Sequence, residues 1–398
     1  MANKKLTITD CYALFALSMQ FILQILFAYV LKIDAAGRLS MFLLFSAFFF
    51  KIVEDGRSVI KAPILIYCFI GIYLFINGIV QLGYLTYEVS PVLQMFRKTI
   101  TPPVFLILCS IMLQSKEKET IKVLFYTMCL YLAAYCLFKF KGFPSEINQN
   151  SAALVLIADV ILLCYGRMTK LFGPGLFVAA TVMFLAETIV IGSRMGLATV
   201  FYLYMVFALL KRLRTKDAIS IIIFVLSIIV LTVFIVLALN FTRVGERMMD
   251  TTEQVERFTE STGTVFDKFG DRGIQYYYSW PYFIKNPIFG IGLNNWILYN
   301  PVDSVCHSEY LVQYMENGLV AFIPYVLFLY LLMHSLRREY RKRAGGSRTA
   351  LKFVYLSMFG ILFCNSVIWT NDQYAVFIVY ALCFALSRQR RMYRIQSI

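Results

Sequence analysis

The sequence has little charge. Only 15% of its 398 residues are Asp, Glu, Lys or Arg, while 60% are hydrophobic; a soluble domain carries about 25% charged residues. With a mean hydropathy of +0.69, a soluble enzyme is excluded. Acidic residues are scarcer still, 23 against 38 Lys and Arg. Histidine occurs twice, so any imidazole chemistry rests on His307 or His334. The nine cysteines form no C-x-x-C pair and eight lie in or beside apolar runs, which removes the usual thiolate metal motifs and reads as small core hydrophobes. No D-x-D pair occurs in the segments expected outside the cytoplasm, so nothing there points to a divalent cation, and no metal or cofactor is expected. There is no 20–50-residue repeat and no low-complexity tract. Nor do the two halves carry the matched Gly/Pro-broken spans of an inverted-repeat transporter. The apolar run after the basic N-terminus lacks a small-x-small cleavage site and is too long for a signal peptide, so it is expected to stay as a first span.

What the sequence has instead is long apolar runs, at about 11–31, 35–50, 62–82, 100–114, 121–138, 151–166, 173–192, 195–210, 218–239, 309–333, 351–368 and 373–387. A helix needs about 20 apolar residues to cross a hydrocarbon core of about 30 Å. The expectation is therefore an all-α polytopic membrane protein with about 12 transmembrane helices, residues 1–398 forming a single membrane domain. An even number puts both termini on one side. Placing them in the cytoplasm puts 25 of the 38 Lys and Arg on that side, the RREYRKR run from Arg337 to Arg343 included, as the positive-inside rule requires. The net charge of +15 is then mostly an orientation signal, and no nucleic-acid partner is needed to explain it.

This topology leaves one long extracytoplasmic loop, residues 240–308, between spans nine and ten. Its first part, Arg243 to Asp271, is polar and reads as a helix on the membrane surface. Its second, Gln275 to Trp296, carries Tyr276, Tyr277, Tyr278, Trp280, Tyr282, Phe283 and Phe289, rings that collect at the interface. Ionisable residues near membrane depth are costly and usually functional, and three outer ones stand out. Arg194 lies in Gly192-Ser193-Arg194-Met195-Gly196, between two apolar runs; its guanidinium stays charged and offers a planar fork to phosphate or carboxylate. Glu187 lies two helical turns earlier, on about the same face; a structural Glu187–Arg194 network is the alternative. Arg272 opens the aromatic segment, and alone is an ordinary loop arginine. His307 stands where the loop meets span ten and can exchange a proton near neutral pH, whereas His334 precedes a basic run and reads as interfacial filler.

Taken in order, Gly-Ser-Arg, the long outer loop, Arg272 eight residues before Trp280, Asn286-Pro287-Ile288-Phe289-Gly290-Ile291-Gly292-Leu293, and His307-Ser308 followed after nine residues by Gly318-Leu319-Val320-Ala321 form a pattern. Over residues 140–330 it resembles the O-antigen polymerase and O-antigen ligase superfamily, integral-membrane glycosyltransferases of type C fold. The ligases are similar in having His, then Asn, Ser or Gln, nine residues, Gly, two residues and Gly, Thr or Tyr; Ala321 departs at that last place. The resemblance implies that Arg194 and Arg272 hold the pyrophosphate of a polyprenyl-linked glycan and that His307 is the catalytic base. Asn148 and Asn150 resemble the family's Asn-containing element facing the same cavity, although Asn150 also reads as a helix cap. Glu187, Tyr276, Trp280, Ser308 and Glu309 are supporting or glycan-binding candidates.

The expected activity is that of an O-antigen or capsular polysaccharide polymerase. It would join undecaprenyl-diphosphate-linked repeats on the outer face of the bacterial cytoplasmic membrane, without a metal. An O-antigen ligase acting on lipid A-core is the alternative, and a lipid-linked oligosaccharide flippase or other transporter the second. Expected partners are the lipid-linked glycan donor and acceptor and the bilayer, with a flippase and a chain-length regulator working beside the enzyme.

Overall fold

The first helix begins where Thr7 and Asp10 close a capping box. The Thr7 hydroxyl accepts from the Asp10 N–H at 3.1 Å and the Asp10 carboxylate accepts from the Thr7 N–H at 3.0 Å, so two donors that a helix start leaves orphaned are satisfied. Proline in the first turn starts two others, at Pro102 and Pro103 and at Pro174, where its fixed φ suits a helix and its missing N–H is not needed. The computed structural model describes residues 5–26, 35–55, 62–80, 91–141, 149–212, 271–293, 295–296, 308–367 and 373–387.

Among these residues there is no strand. In chain order the helices are α1 (Ile8–Ile25), α2 (Ala35–Asp55), α3 (Ala62–Val80), α4 (Pro91–Thr99), α5 (Thr101–Ser115), α6 (Glu117–Phe140), α7 (Gln149–Met168), α8 (Pro174–Ile191), α9 (Arg194–Arg212), α10 (Asp271–Lys285), α11 (Glu309–Leu311, continued by a π turn Val312–Glu316), α12 (Gly318–Lys342), α13 (Gly345–Val367) and α14 (Tyr374–Leu386). Nine described helices are long and apolar enough to cross a membrane: α1, α3, α5 extended back to Met95, α6 to α9, α12 and α13. The chain is thus a polytopic all-α membrane protein, as helices that satisfy their own backbone are one of only two structures a bilayer admits.

Burial separates centre from rim. α7 has 83% of its apolar window buried, against 28% for α8. α7 touches α6, α8, α9, α13 and α14 and is the central post, whereas α8 turns apolar side chains such as Val178 and Val182 outward, as a lipid-facing helix does.

One expected span is corrected. The run 309–333 is not a single helix from Glu309, since α11 and its π turn end at Asn317 and the long helix starts at Gly318, with φ +68°. Polar residues cause this. Glu309, Gln313, Glu316 and Asn317 are all buried in protein, where Gln313 donates to Glu309 and Asn317 to the Val312 carbonyl, partners that hydrocarbon would deny them. The run 218–239 and the surface helix expected before Asp271 lie outside the described residues.

The bundle has two contrasting ends. At one, Lys51 Nζ lies 2.7 Å from Asp10 and 2.9 Å from Glu54, and Lys116 Nζ lies 3.5 Å from Asp10. The Tyr165 hydroxyl donates to Glu117 at 2.6 Å and Arg343 donates to the Leu386 carbonyl at 3.4 Å, so α1, α2, α5, α6, α7, α12 and α14 all have a terminus there. The glycine-rich motifs lie at the other end.

Candidate active site

The first half of the site is the turn between α8 and α9. α8 stops at Gly192, whose φ of +70° glycine adopts without strain, and its N–H donates to the Thr188 carbonyl at 3.2 Å. The buried Ser193 hydroxyl accepts from the Gly196 N–H at 3.2 Å, fastening the first turn of α9, and donates to Asn150 Oδ1 at 3.2 Å. Asn150 is therefore in the first turn of α7, which begins at Gln149, and ties that helix to the turn. A Cβ on Gly196 would lie 2.9 Å from the Ala153 Cβ, so the α7 and α9 backbones meet closely here.

Arg194 is the first residue of α9 and is exposed. A cation in that place opposes the helix macrodipole, at a cost of about 0.3–1 kcal/mol. Two turns back on α8, Glu187 is buried, and its Oε2 has no hydrogen-bond partner among the described residues. Lys139, near the end of α6, donates to the Ile191 carbonyl at 2.8 Å and brings a second cation to this turn. Nothing in its sequence neighbourhood singles Lys139 out.

The second half is a backbone crossing. α10 carries Arg272 and Tyr276, whose side chains lie outside the described residues, and Trp280, which is exposed with its ring 5.6 Å from that of Phe283. Ser279 and Tyr314 share a hydrogen bond of 2.9 Å, joining α10 to the π turn. Beyond α10, the segment Asn286–Leu293 lies against residues 315–320. Ile291 N–H donates to the Met315 carbonyl at 3.1 Å and Gly292 N–H to that of Glu316 at 2.7 Å; in return Leu319 N–H donates to Pro287 at 2.9 Å and Val320 N–H to Ile288 at 3.3 Å. At the crossing a Cβ on Gly290 would stand 2.4 Å from the Glu316 carbonyl, and one on Gly318 2.2 Å from that of Ile288. Both have positive φ, so both motif glycines are required by space and by conformation.

Ser308 opens the segment that leads to Gly318. Its hydroxyl accepts from the Leu311 N–H at 3.4 Å, capping α11, and donates to the Asn365 carbonyl at 3.4 Å. Asn365 in turn donates to the Tyr325 and Tyr380 hydroxyls at 2.8 and 3.0 Å. Glu309 is fully buried and accepts from Gln313 at 2.7 Å. Ser308 and Glu309 are thus both buried and hydrogen-bonded within the protein. His307 and Asn148 lie outside the described residues.

The halves share one end of the bundle. α9 and α13 run antiparallel, with the Tyr202 hydroxyl donating to the Leu356 carbonyl at 2.8 Å and Thr199 meeting Cys364 at 3.6 Å. Going toward the N-terminus of α9 thus means going toward Asn365, where Ser308 is held. Arg194 lies only about 7.5 Å along the axis from Thr199.

Comparison with known proteins yields no significant match among curated sequences. Residues 176–326 match the family described as O-antigen ligase, a stretch that runs from α8 into α12 and contains Glu187, Arg194, Arg272, His307 and both glycines of the crossing. The match over residues 176–326 supports the resemblance to the O-antigen polymerase and ligase superfamily.

Proposed function

We propose that the chain is a polysaccharide polymerase of the bacterial cytoplasmic membrane, joining undecaprenyl-diphosphate-linked repeats at its extracytoplasmic face. An acceptor sugar hydroxyl attacks the anomeric carbon of the donor glycan; the carbon–oxygen bond to the diphosphate breaks as the new glycosidic bond forms. His307 takes the hydroxyl proton, and the lipid diphosphate departs with its negative charge. Arg194 and Arg272 hold that charge, which suits bidentate guanidinium groups. The barrier then falls through charge stabilisation and proton removal, each stronger in the transition state than in the ground state. The observation that carries this reading is that the Ser193–Arg194 turn and the Ser308–Gly318 segment lie at one end of the bundle, within the matched region.

A ligase reading has its own support, since the matched family is described as O-antigen ligase. Ala321, fully buried in the first turn of α12, is the position where this sequence leaves the ligase pattern, and it favours the polymerase. The test is the purified protein in liposomes with lipid-linked repeat, alone or with lipid A-core. The polymerase extends the repeat in both mixtures. A product that forms only when lipid A-core is present makes the protein a ligase, and no product in either mixture refutes both. A chelator is expected to leave the rate unchanged.

A further inference from the structure

The tightest point of the site, the crossing of Gly290 and Gly318, is held from outside the family region by α3. The Tyr73 hydroxyl lies 3.0 Å from the Asn317 carbonyl and 3.3 Å from that of Phe289, and Asn77 Nδ2 donates to the same Phe289 oxygen at 3.3 Å. Tyr73 and Asn77 are four residues apart, one turn of helix, and so point the same way. The opposing contacts of α3 are fixed by two glycines. A Cβ on Gly71 would stand 2.5 Å from the Thr99 carbonyl, and one on Gly78 2.7 Å from the Met95 sulfur. α3 is thus seated hard against α4 and α5 while its Tyr73–Asn77 face reaches the crossing.

The N–H groups around the two carbonyls, those of Ile291, Gly292, Leu319 and Val320, are spent on the crossing itself, so the donors these carbonyls meet here come from α3. Further along, Ile291 and Leu293 are buried against Met95, Val312 and Met315, but at the tip Ile288 is 55% and Phe289 61% exposed. There the backbone is held by its own bonds and by α3.

We infer that Tyr73 and Asn77 are positioning residues for this site. They clamp the Phe289 and Asn317 carbonyls and so fix where the Ser308–Gly318 segment meets the Asn286–Leu293 segment. The inference rests on the proposed glycosyl transfer for its consequence, but the clamp itself can be measured without it.

The test uses the full-length protein in nanodiscs, as wild type, Tyr73→Phe and Asn77→Leu, with Tyr202→Phe as control. The control loses a comparable tyrosine-to-carbonyl bond far from the crossing. Amide exchange is followed by mass spectrometry at residues 291–292 and 319–320, and transfer is followed as separate kcat and KM. Expected for both clamp variants is about tenfold faster exchange at those amides and about tenfold lower kcat, with donor KM unchanged; Tyr202→Phe changes neither. Unchanged exchange in Tyr73→Phe overturns the clamp whatever the transfer assay gives. Faster exchange with wild-type kcat overturns the positioning role. Should the wild type itself transfer nothing, the proposed function fails, and the exchange of Tyr73→Phe against Tyr202→Phe still decides the clamp. Should Asn77→Leu fail to fold, Tyr73→Phe, which removes a single oxygen, carries the test.

Discussion

The two ends of the bundle handle polar groups in opposite ways. At the end where α1 begins, charge meets charge inside the protein: Lys51 and Asp10 are each 2% exposed and 2.7 Å apart, Glu54 receives Thr9 as well as Lys51, and Lys116 joins both Asp10 and the Lys5 carbonyl. At the motif end, the buried polar groups of the crossing are satisfied largely by backbone, Arg194 is exposed at a helix start that disfavours it, and Glu187 keeps an oxygen without a described partner. The first arrangement pairs charges of opposite sign within the protein. The second is held by backbone bonds between the two crossing segments. Charge at one end is paired inside the protein, and at the other Arg194 stands exposed at the start of a helix.

The largest effect that would sharpen this contrast is expected at the crossing. Gly318→Val places a branched side chain where even a Cβ would meet the Ile288 carbonyl at 2.2 Å, at a φ of +68°. Folded yield and transfer should both be lost, as read by gel-filtration recovery and by product. Gly345→Ala, equally positive in φ but with no atom within 4 Å of the added Cβ, should fold.

Next in size is Lys51→Met, which leaves Asp10 buried with only Lys116 nearby. Removing one partner of a buried pair costs about 3–5 kcal/mol. The melting temperature in detergent should fall, while transfer per folded molecule stays at wild type; a specific loss of transfer would erase the distinction between the ends. Arg194→Lys is the mirror image. It keeps the charge but loses the fork, so the melting temperature should hold while transfer drops by more than tenfold. Smallest is Ser193→Ala, which removes a hydroxyl that caps α9 and reaches Asn150. Cap loss costs about 0.5–2 kcal/mol, seen as a modest fall in melting temperature.

Most spans were legible in the sequence, nine described helices being long and apolar enough to cross a membrane, because a bilayer demands apolar length and hydropathy measures that directly. The short motifs were legible too, since Gly192, Gly290 and Gly318 occupy conformations or spaces that suit glycine alone. The pairing of Asn286–Leu293 with residues 315–320 was not, because it is made of backbone bonds between distant segments and leaves no periodic trace. The break at Asn317 had a signal that apolar counting averages away, with Glu309, Gln313 and Glu316 at helical spacing in one run. Tyr73 and Asn77 look like ordinary span residues until the carbonyls they hold are seen. Ser308 and Glu309 were read as supporting or glycan-binding candidates from their place beside His307, and the bonds Ser308 makes to Leu311 and Asn365 could not be read from that spacing.

The most direct test of the motif end as a catalytic site is the transfer rate of purified His307→Ala with lipid-linked repeat, measured beside its melting temperature. The account predicts a rate about 10²- to 10⁴-fold below wild type, the usual loss for a general base, with melting unchanged and unpolymerised repeats accumulating on the outer leaflet in cells. A His307→Ala protein that transfers glycan at the wild-type rate would contradict it.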